Sequence, residues 1–337
     1  MNLPRFLLTL AIAAMLCGCP EEQPLETVAD PVPQPAPEVP SEPPEQAAEP
    51  AAPVDEAPAA DELLVTAEEL QAQLDDTELR ILDVRSEEAY AESHIPGAVR
   101  VDLNDWKSLA LSEGGLQDAD AWAGRVGELG INAGTPVIVY ADNPTNATRI
   151  WWTLEYLGVN DVRVLNGGWA AWQQADAPVS NEPLVPTPTE FEPEFQEERL
   201  AAKEDVQKVI ETPGGAIALL DARSEGEYTG TSGPGARKGH IPGFARLEWT
   251  NFVDEQGRFK SPDKIREIVG DRPAGEGAIT YCQTGGRASL NAFALELAGY
   301  GPVQNYYCGW SEWSAADDVP VKTPAEDAAG GSENESE

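Results

Sequence analysis

Residues 81–101 read ILDVRSEEAYAESHIPGAVRV, and residues 219–247 read LLDARSEGEYTGTSGPGARKGHIPGFARL. Both stretches carry Leu-Asp-x-Arg-Ser-Glu, then a tyrosine, then His-Ile-Pro-Gly, and the second has eight extra residues before its histidine. Further along, VIVYADNPTNATRIWWTLEYLG at 137–158 aligns without gaps to AITYCQTGGRASLNAFALELAG at 278–299. The period of roughly 140 residues is far too long for a solenoid. The repeat therefore predicts two duplicated domains.

Within each copy, short apolar runs alternate with helical patterns. RILDV, PVIVY and VRVL in the first copy correspond to AIALLDA, AITY and VQNYY in the second. This alternation predicts an α/β fold, with a mainly parallel central sheet flanked by helices in each domain. Functional loops of such sheets follow the carboxyl ends of the strands. Asp83, Asp221, Cys282 and Cys308 each lie at or just after such an end.

The first residues have the pattern of a secretion signal. MNLPR carries positive charge, and the apolar stretch after it is too short to span a membrane. Leu16-Cys17-Gly18-Cys19 is similar to a bacterial lipobox, which predicts a lipoprotein signal peptide over 1–18 and lipidation of Cys19. The alternative is an ordinary secretory signal cut elsewhere. Because no Asp directly follows Cys19, we expect a lipid anchor in the outer membrane, on the periplasmic side of the cell envelope.

Composition and the repeat set the remaining boundaries. Residues 19–60 are rich in Pro, Ala and Glu without any helical or strand period, which predicts a disordered linker. We expect an inactive first domain at 61–180, an interdomain linker at 181–199 and a catalytic second domain at 200–325. Residues 326–337 are predicted to form a disordered acidic tail.

The charge balance excludes one class of partner. The chain has 59 Asp and Glu residues against 22 Lys and Arg, a formal net charge of -37 at pH 7. Nucleic acid binding needs a basic face, and the sequence shows none. We expect a monomer that meets the membrane only through its lipid.

The motifs resemble the rhodanese (sulfurtransferase) family in its tandem two-domain form. The resemblance covers about 61–325 and rests on the order LDxR, HIPG, a cysteine loop after an apolar strand, and GW-x-x-W, in two copies. It implies that Cys282 attacks the outer sulfur of a donor, carries that sulfur as a persulfide, and passes it to cyanide or a thiol acceptor. It implies no cofactor.

The cysteine loop reads Cys282-Gln283-Thr284-Gly285-Gly286-Arg287. A loop between strand and helix can point its N–H groups inward, and the helix N-terminus adds partial positive charge. Glycines permit the curl, and this environment stabilises a thiolate or persulfide. We expect residues 283–286 to bind substrate, and Arg287 to dock a small oxyanion.

Loop length favours sulfur transfer over phosphate chemistry. Four residues separate Cys282 from Arg287, whereas related phosphatases have five and a wider cradle. The charged loop resembles that of thiosulfate-using members, so we expect thiosulfate as donor. Two alternatives stay open: 3-mercaptopyruvate as donor, and a non-enzymatic binding or redox-sensing module.

The first copy lacks the chemistry of the second. Ala141 stands in the place of Cys282, and Asn146 in the place of Arg287. Pro144 also replaces a loop glycine. The first domain is therefore predicted to be inactive and to wall the pocket of the second.

Three further features allow two interpretations each. Arg223 either lines the substrate side of the pocket or forms a surface ion pair. Cys308 is either a small inert residue or a resolving thiol for Cys282. His94 and His240 occur in the same motif of both copies, which favours a turn over a Cys–His dyad, and the residues predict no metal site.

Overall fold

The computed structural model describes residues 63–212, 217–270, 277–301 and 303–323. The predicted signal peptide, Cys19, the linker at 19–60 and the acidic tail all lie outside the described residues. Within the described ranges, no helix is both long enough and apolar enough to cross a membrane.

The first domain is built on a five-stranded sheet in which all neighbouring strands are parallel. Its strands are β1 (Leu64–Val65), β2 (Arg80–Asp83), β3 (Ala98–Arg100), β4 (Val137–Tyr140) and β5 (Val162–Leu165), in the spatial order β1-β5-β4-β2-β3. Its helices are α1 (Ala67–Gln71), α2 (Glu87–Glu92), α3 (Leu103–Ala110), α4 (Ala119–Glu128), α5 (Pro144–Tyr156) and α6 (Gly168–Gln174). The central strand β4 is buried throughout, as its apolar sequence VIVY requires.

The second domain repeats this plan with a four-stranded parallel sheet. Its strands are β6 (Ala218–Asp221), β7 (Ala245–Arg246), β8 (Ala278–Tyr281) and β9 (Val303–Tyr306), in the order β7-β6-β8-β9. Its helices are α7 (Lys203–Ile210), α8 (Glu225–Tyr228), α9 (Pro262–Val269), α10 (Gly286–Leu297) and α11 (Gly309–Trp313). Two parallel sheets flanked by helices confirm the predicted fold class.

The serine of each LDxRS motif begins a helix. Ser86 accepts a hydrogen bond from the N–H of Ala89, and Ser224 accepts one from the N–H of Glu227. In the second copy the Glu227 carboxylate also accepts from the N–H of Ser224, which completes a capping box. The motif therefore sets the start of α2 and of α8.

The two domains meet through α5 and α10, the helices that follow the two aligned loops. Trp151 on α5 meets Phe293 on α10 edge to face, with ring centroids 4.8 Å apart. Trp152 stacks on Tyr307, which follows β9, at 5.0 Å. Residues 181–199 connect the domains and contain one 3-10 helix, Glu197–Arg199. The interface thus borders the cysteine loop directly.

Candidate active site

Cys282 directly follows β8, and α10 begins at Gly286. Because β8 lies between β6 and β9, the cysteine stands at the middle of the sheet's carboxyl edge. Its side chain is buried in a small cluster with Ala222 and Ala288. This strand–loop–helix placement is the one that the sequence pattern predicted.

Two carbonyl groups of the loop accept hydrogen bonds from the backbone of α11. The carbonyl of Cys282 accepts from the N–H of Trp310 at 2.8 Å, and that of Gln283 from the N–H of Ser311 at 3.1 Å. Throughout the described ranges, the N–H groups of residues 283–287 find no hydrogen-bond acceptor. These donors lie at a helix N-terminus and are available to a bound anion.

Gly285 shapes the loop through its backbone. Its φ is +85°, and an added Cβ would lie 2.6 Å from the ring of Tyr307. Its carbonyl accepts from the N–H and hydroxyl of Ser289, at 2.7 and 3.0 Å, and from the side-chain amide of Asn305 at 3.2 Å. The sequence interpretation did not include Asn305, although its counterpart in the first copy, Val164, could not make this bond.

The next two loop side chains face different surroundings. The side-chain oxygen of Gln283 is buried, and no described residue donates a hydrogen bond to it. The hydroxyl of Thr284 lies 3.5 Å from a guanidinium nitrogen of Arg149, which belongs to the first domain. The substrate-binding roles of both residues stay predictions.

Arg287 is ion-paired. Its two terminal nitrogens donate to the two carboxylate oxygens of Glu227, at 2.6 and 2.8 Å. Burial alone would raise the pKa of Glu227, but the bonds and charge of Arg287 outweigh it and lower that pKa to about 2. Burial likewise opposes the charge of Arg287, yet Glu227 and the nearby Cys282 sulfur raise the pKa of the guanidinium.

The ion pair offsets part of the positive charge of Arg287, and the docking of an oxyanion by Arg287 stays a prediction. The sequence interpretation missed Glu227. Its signal was visible in the repeat, because the first copy has Ala89 in place of Glu227 and Asn146 in place of Arg287. The second copy thus differs from the first by this ion pair as well as by its cysteine.

Arg149 on α5 was also missed. Its guanidinium donates to the hydroxyl of Tyr307 at 2.7 Å and packs against Gly286, where an added Cβ would lie 2.6 Å from a terminal nitrogen. The first domain therefore reaches the cysteine loop with a cation.

Arg223 has a structural position. Its side chain is 1% exposed and forms an ion pair with Asp221 at 2.7 Å. It also donates to the carbonyl of Gly239 and the hydroxyl of Tyr281, and it lies over the ring of Trp310 at 4.5 Å. These contacts favour the ion pair over the anion-binding alternative, and they place the pair in the interior instead of at the surface.

Cys308 follows β9 on the same sheet edge as Cys282, and both thiols are free. Burial and the nearby Glu312 raise the pKa of the Cys308 thiol to about 11. The thiol is therefore protonated at neutral pH and is a poor attacking group. Its role as a resolving thiol stays a prediction.

Both histidines form isolated antiparallel bridges just before the Pro-Gly turn, His94 with Ser180 and His240 with Lys322. His94 stacks on Tyr90 at 4.0 Å, and a ring nitrogen lies 2.7 Å from the Tyr90 carbonyl. His240 stacks on Tyr228 at 3.8 Å in the same manner. The described ranges contain no group of three His, Cys, Asp or Glu side chains that could hold a metal ion.

Comparisons with known proteins agree with this arrangement. The Rhodanese-like domain family matches residues 66–175 and again 202–316. A thiosulfate sulfurtransferase of Azotobacter vinelandii is 33% identical over 266 residues, which cover 77% of this chain and 97% of the relative. A Pseudomonas aeruginosa protein named "Probable 3-mercaptopyruvate sulfurtransferase" is 34% identical over 281 residues, covering 77% and 98%.

A similar solved structure extends the comparison. It is the anaerobic ergothioneine biosynthesis enzyme from Chlorobium limicola, in complex with trimethyl histidine. The TM-score is 0.69 at 25% sequence identity, and the match covers 77% of this chain and 70% of that one.

Proposed function

Because this chain belongs to the rhodanese-like family, we propose that it is a sulfurtransferase that takes the outer sulfur of thiosulfate and passes it to cyanide or a thiol. One observation carries the proposal: Cys282 precedes a helix N-terminus beside five backbone N–H groups that no described residue accepts from. The first copy has an alanine at this point.

The reaction has two displacement steps. The Cys282 thiolate attacks the outer sulfur of thiosulfate, the S–S bond of the donor breaks, and sulfite leaves with the bonding electron pair. The resulting persulfide anion accepts hydrogen bonds from the N–H groups of residues 283–287. A cyanide or thiolate then attacks the terminal sulfur, and the electrons of the broken bond return to Cys282 as thiolate.

The charges around Cys282 bear on which sulfur donor the enzyme uses. A dianion such as thiosulfate suits a site with two guanidinium groups, Arg149 and Arg287. The Glu227 carboxylate cancels much of the Arg287 charge, and this specific feature favours the alternative donor, 3-mercaptopyruvate, which carries a single carboxylate. Comparing kcat/KM for the two donors decides between them.

The direct test is the intact mass of the purified protein after incubation with thiosulfate. We expect the gain of one sulfur atom, removed again by cyanide. Cys282→Ser should abolish the gain, whereas the matched Cys308→Ser should retain it because its thiol is protonated at neutral pH. Sulfur transfer that persists in Cys282→Ser would refute the role of Cys282. A wild-type protein that gains no sulfur would refute sulfur transfer and favour a binding or redox-sensing module.

We also propose a lipid anchor at Cys19 and a monomeric enzyme in the cell envelope. The support is the Leu16-Cys17-Gly18-Cys19 sequence and a site that one chain completes by itself. Labelling cells with a radioactive fatty acid should mark the wild-type protein, with the label lost in Cys19→Ser and retained in Cys308→Ser. Label retained in Cys19→Ser contradicts the anchor, and light scattering of the detergent-solubilised protein checks the monomer.

A further inference from the structure

Arg149 is a buried arginine that the inactive domain directs at the cysteine loop of the active one. It lies on α5, and 7% of its surface is exposed. Its guanidinium donates to the Tyr307 hydroxyl at 2.7 Å and lies 5.3 Å from the centre of that ring. It approaches the Thr284 hydroxyl at 3.5 Å. All these contacts belong to the second domain, next to Cys282.

The positive charge of Arg149 has no counter-ion in the described part of the chain. No carboxylate there lies within 4.0 Å of its guanidinium, and both hydrogen-bond partners are hydroxyl groups. Burial raises the pKa of Tyr307, although the Arg149 charge opposes this, so its hydroxyl stays neutral at physiological pH. A buried cation without a counter-ion is costly unless an anion compensates it. Arg287, by contrast, already has Glu227.

The absence of a side chain at Gly286 leaves room for the guanidinium of Arg149. Its backbone is helical, so no positive φ demands a glycine. An added Cβ would instead lie 2.6, 2.9 and 3.0 Å from three atoms of the Arg149 guanidinium. The second glycine of the loop therefore makes room for a side chain from the other domain.

We propose that Arg149 is a positioning residue of the sulfur-transfer site, which holds the cysteine loop in place and supplies the uncompensated positive charge facing the Cys282 thiolate, its persulfide and the leaving sulfite. This inference rests on the proposed function. It makes the first domain an electrostatic component of the site.

The first test replaces Arg149 with Gln, which removes the charge, and with Lys, which keeps it. Sulfur loading by thiosulfate, followed by intact mass, should slow about tenfold in Arg149→Gln and recover in part in Arg149→Lys. The alkylation of Cys282 by iodoacetamide should shift its midpoint upward by about one pH unit in Arg149→Gln, since a lost cation disfavours the thiolate. The other groups that interact electrostatically with Cys282 are Arg287, which Glu227 pairs with, and Tyr307, and all three side chains are unchanged in these variants.

A second test leaves Arg149 in the chain and moves it. Gly286→Ala should displace the guanidinium and slow sulfur loading in the same direction, while alanine suits the helix backbone. In the Arg149→Gln background, Gly286→Ala should add little further loss, because the group it displaces is gone. This cycle keeps the proposal testable even if Arg149→Gln folds poorly.

The matched control is Arg199→Gln, which removes an interdomain arginine that contacts Glu155 and Glu296 but not the loop. It should keep the alkylation midpoint of the wild type. The inference is overturned if Arg149→Gln loads sulfur and alkylates like wild type, if the two substitutions are additive, or if Arg199→Gln gives the same shift. A wild-type protein that takes up no sulfur would instead refute the proposed function.

Discussion

At the scale of single residues, Glu227 connects two parts of the site. Its carboxylate accepts from the N–H and hydroxyl of Ser224, at 3.2 and 2.8 Å, and so caps α8. The same carboxylate holds both terminal nitrogens of Arg287. One side chain thus fixes a helix start and the orientation of the loop arginine, and its loss affects both.

Glu227→Gln should separate these roles, because glutamine keeps the shape and removes the charge. Arg287 would then be uncompensated, and we expect the KM for thiosulfate to fall roughly threefold. The free energy of unfolding should fall by about 2 kcal/mol through the lost charge-assisted bonds. Steady-state kinetics and urea unfolding measure the two effects, with the exposed Glu225→Gln as control. An unchanged KM would mean that Arg287 does not meet the donor.

The same pair has a defined pH dependence. The pKa of Glu227 is lowered to about 2, below its value in an unfolded chain of about 4.3. The stabilisation is therefore complete above the unfolded value and is lost as the pH falls towards about 2. Glu227→Gln should remove this acid-side contribution from the unfolding profile.

At the scale of elements, α5 and α10 each give a carboxylate to one arginine of the connecting 3-10 helix. Arg199 donates to Glu155 at 2.9 Å and to Glu296 at 3.0 Å. Burial, reinforced by Glu296 and opposed by Arg199, raises the pKa of Glu155 to about 7. Burial also raises the pKa of Glu296, against the pull of Arg199. These two carboxyl groups and one guanidinium make the stability of the domain interface dependent on pH.

The sign of this effect follows from proton linkage. A raised carboxyl pKa means that the folded state binds protons more tightly than the unfolded state between about pH 4.3 and 7. The free energy of unfolding should therefore decline as the pH rises from about 4.3 to about 7, by roughly 1–3 kcal/mol. Glu155→Gln should flatten the decline in urea titrations at several pH values, and the exposed Glu128→Gln should not. A decline of equal size in both variants would contradict the assignment.

The strand, loop and helix around Cys282 could be predicted because each depends on residues that are neighbours in the sequence. An apolar run before Cys282, glycines after it and a helical pattern beyond them define strand, loop and helix from neighbouring residues alone. The bond between Arg149 and Tyr307 joins residues 158 positions apart, in different copies of the repeat. Comparing one copy with the other cannot reveal such a contact, since the contact lies between copies and does not recur within either.

At the scale of the whole molecule, the first domain packs against the residues that hold the cysteine loop, whereas the sequence predicted only that this domain walls the pocket. Its α5 packs Trp151 against Phe293 and Trp152 against Tyr307, and the ring of Tyr307 in turn lies against Gly285. The position of the cysteine loop therefore depends on packing from both domains. The repeat pattern predicted two domains and a first domain that walls the pocket, but not these contacts between α5 and the residues around the loop.

The space left by the missing side chain at Gly286, here called the notch, affects how the two domains can be recombined with those of other proteins. A chimera that joined this second domain to a foreign first domain would keep the nucleophile. It would keep the positive charge beside the loop only if the foreign domain carried an arginine at the position of Arg149. A foreign second domain with a larger side chain at the notch would repel the native arginine. Gly286 and Arg149 must therefore be transferred together in such a graft, although they belong to different domains.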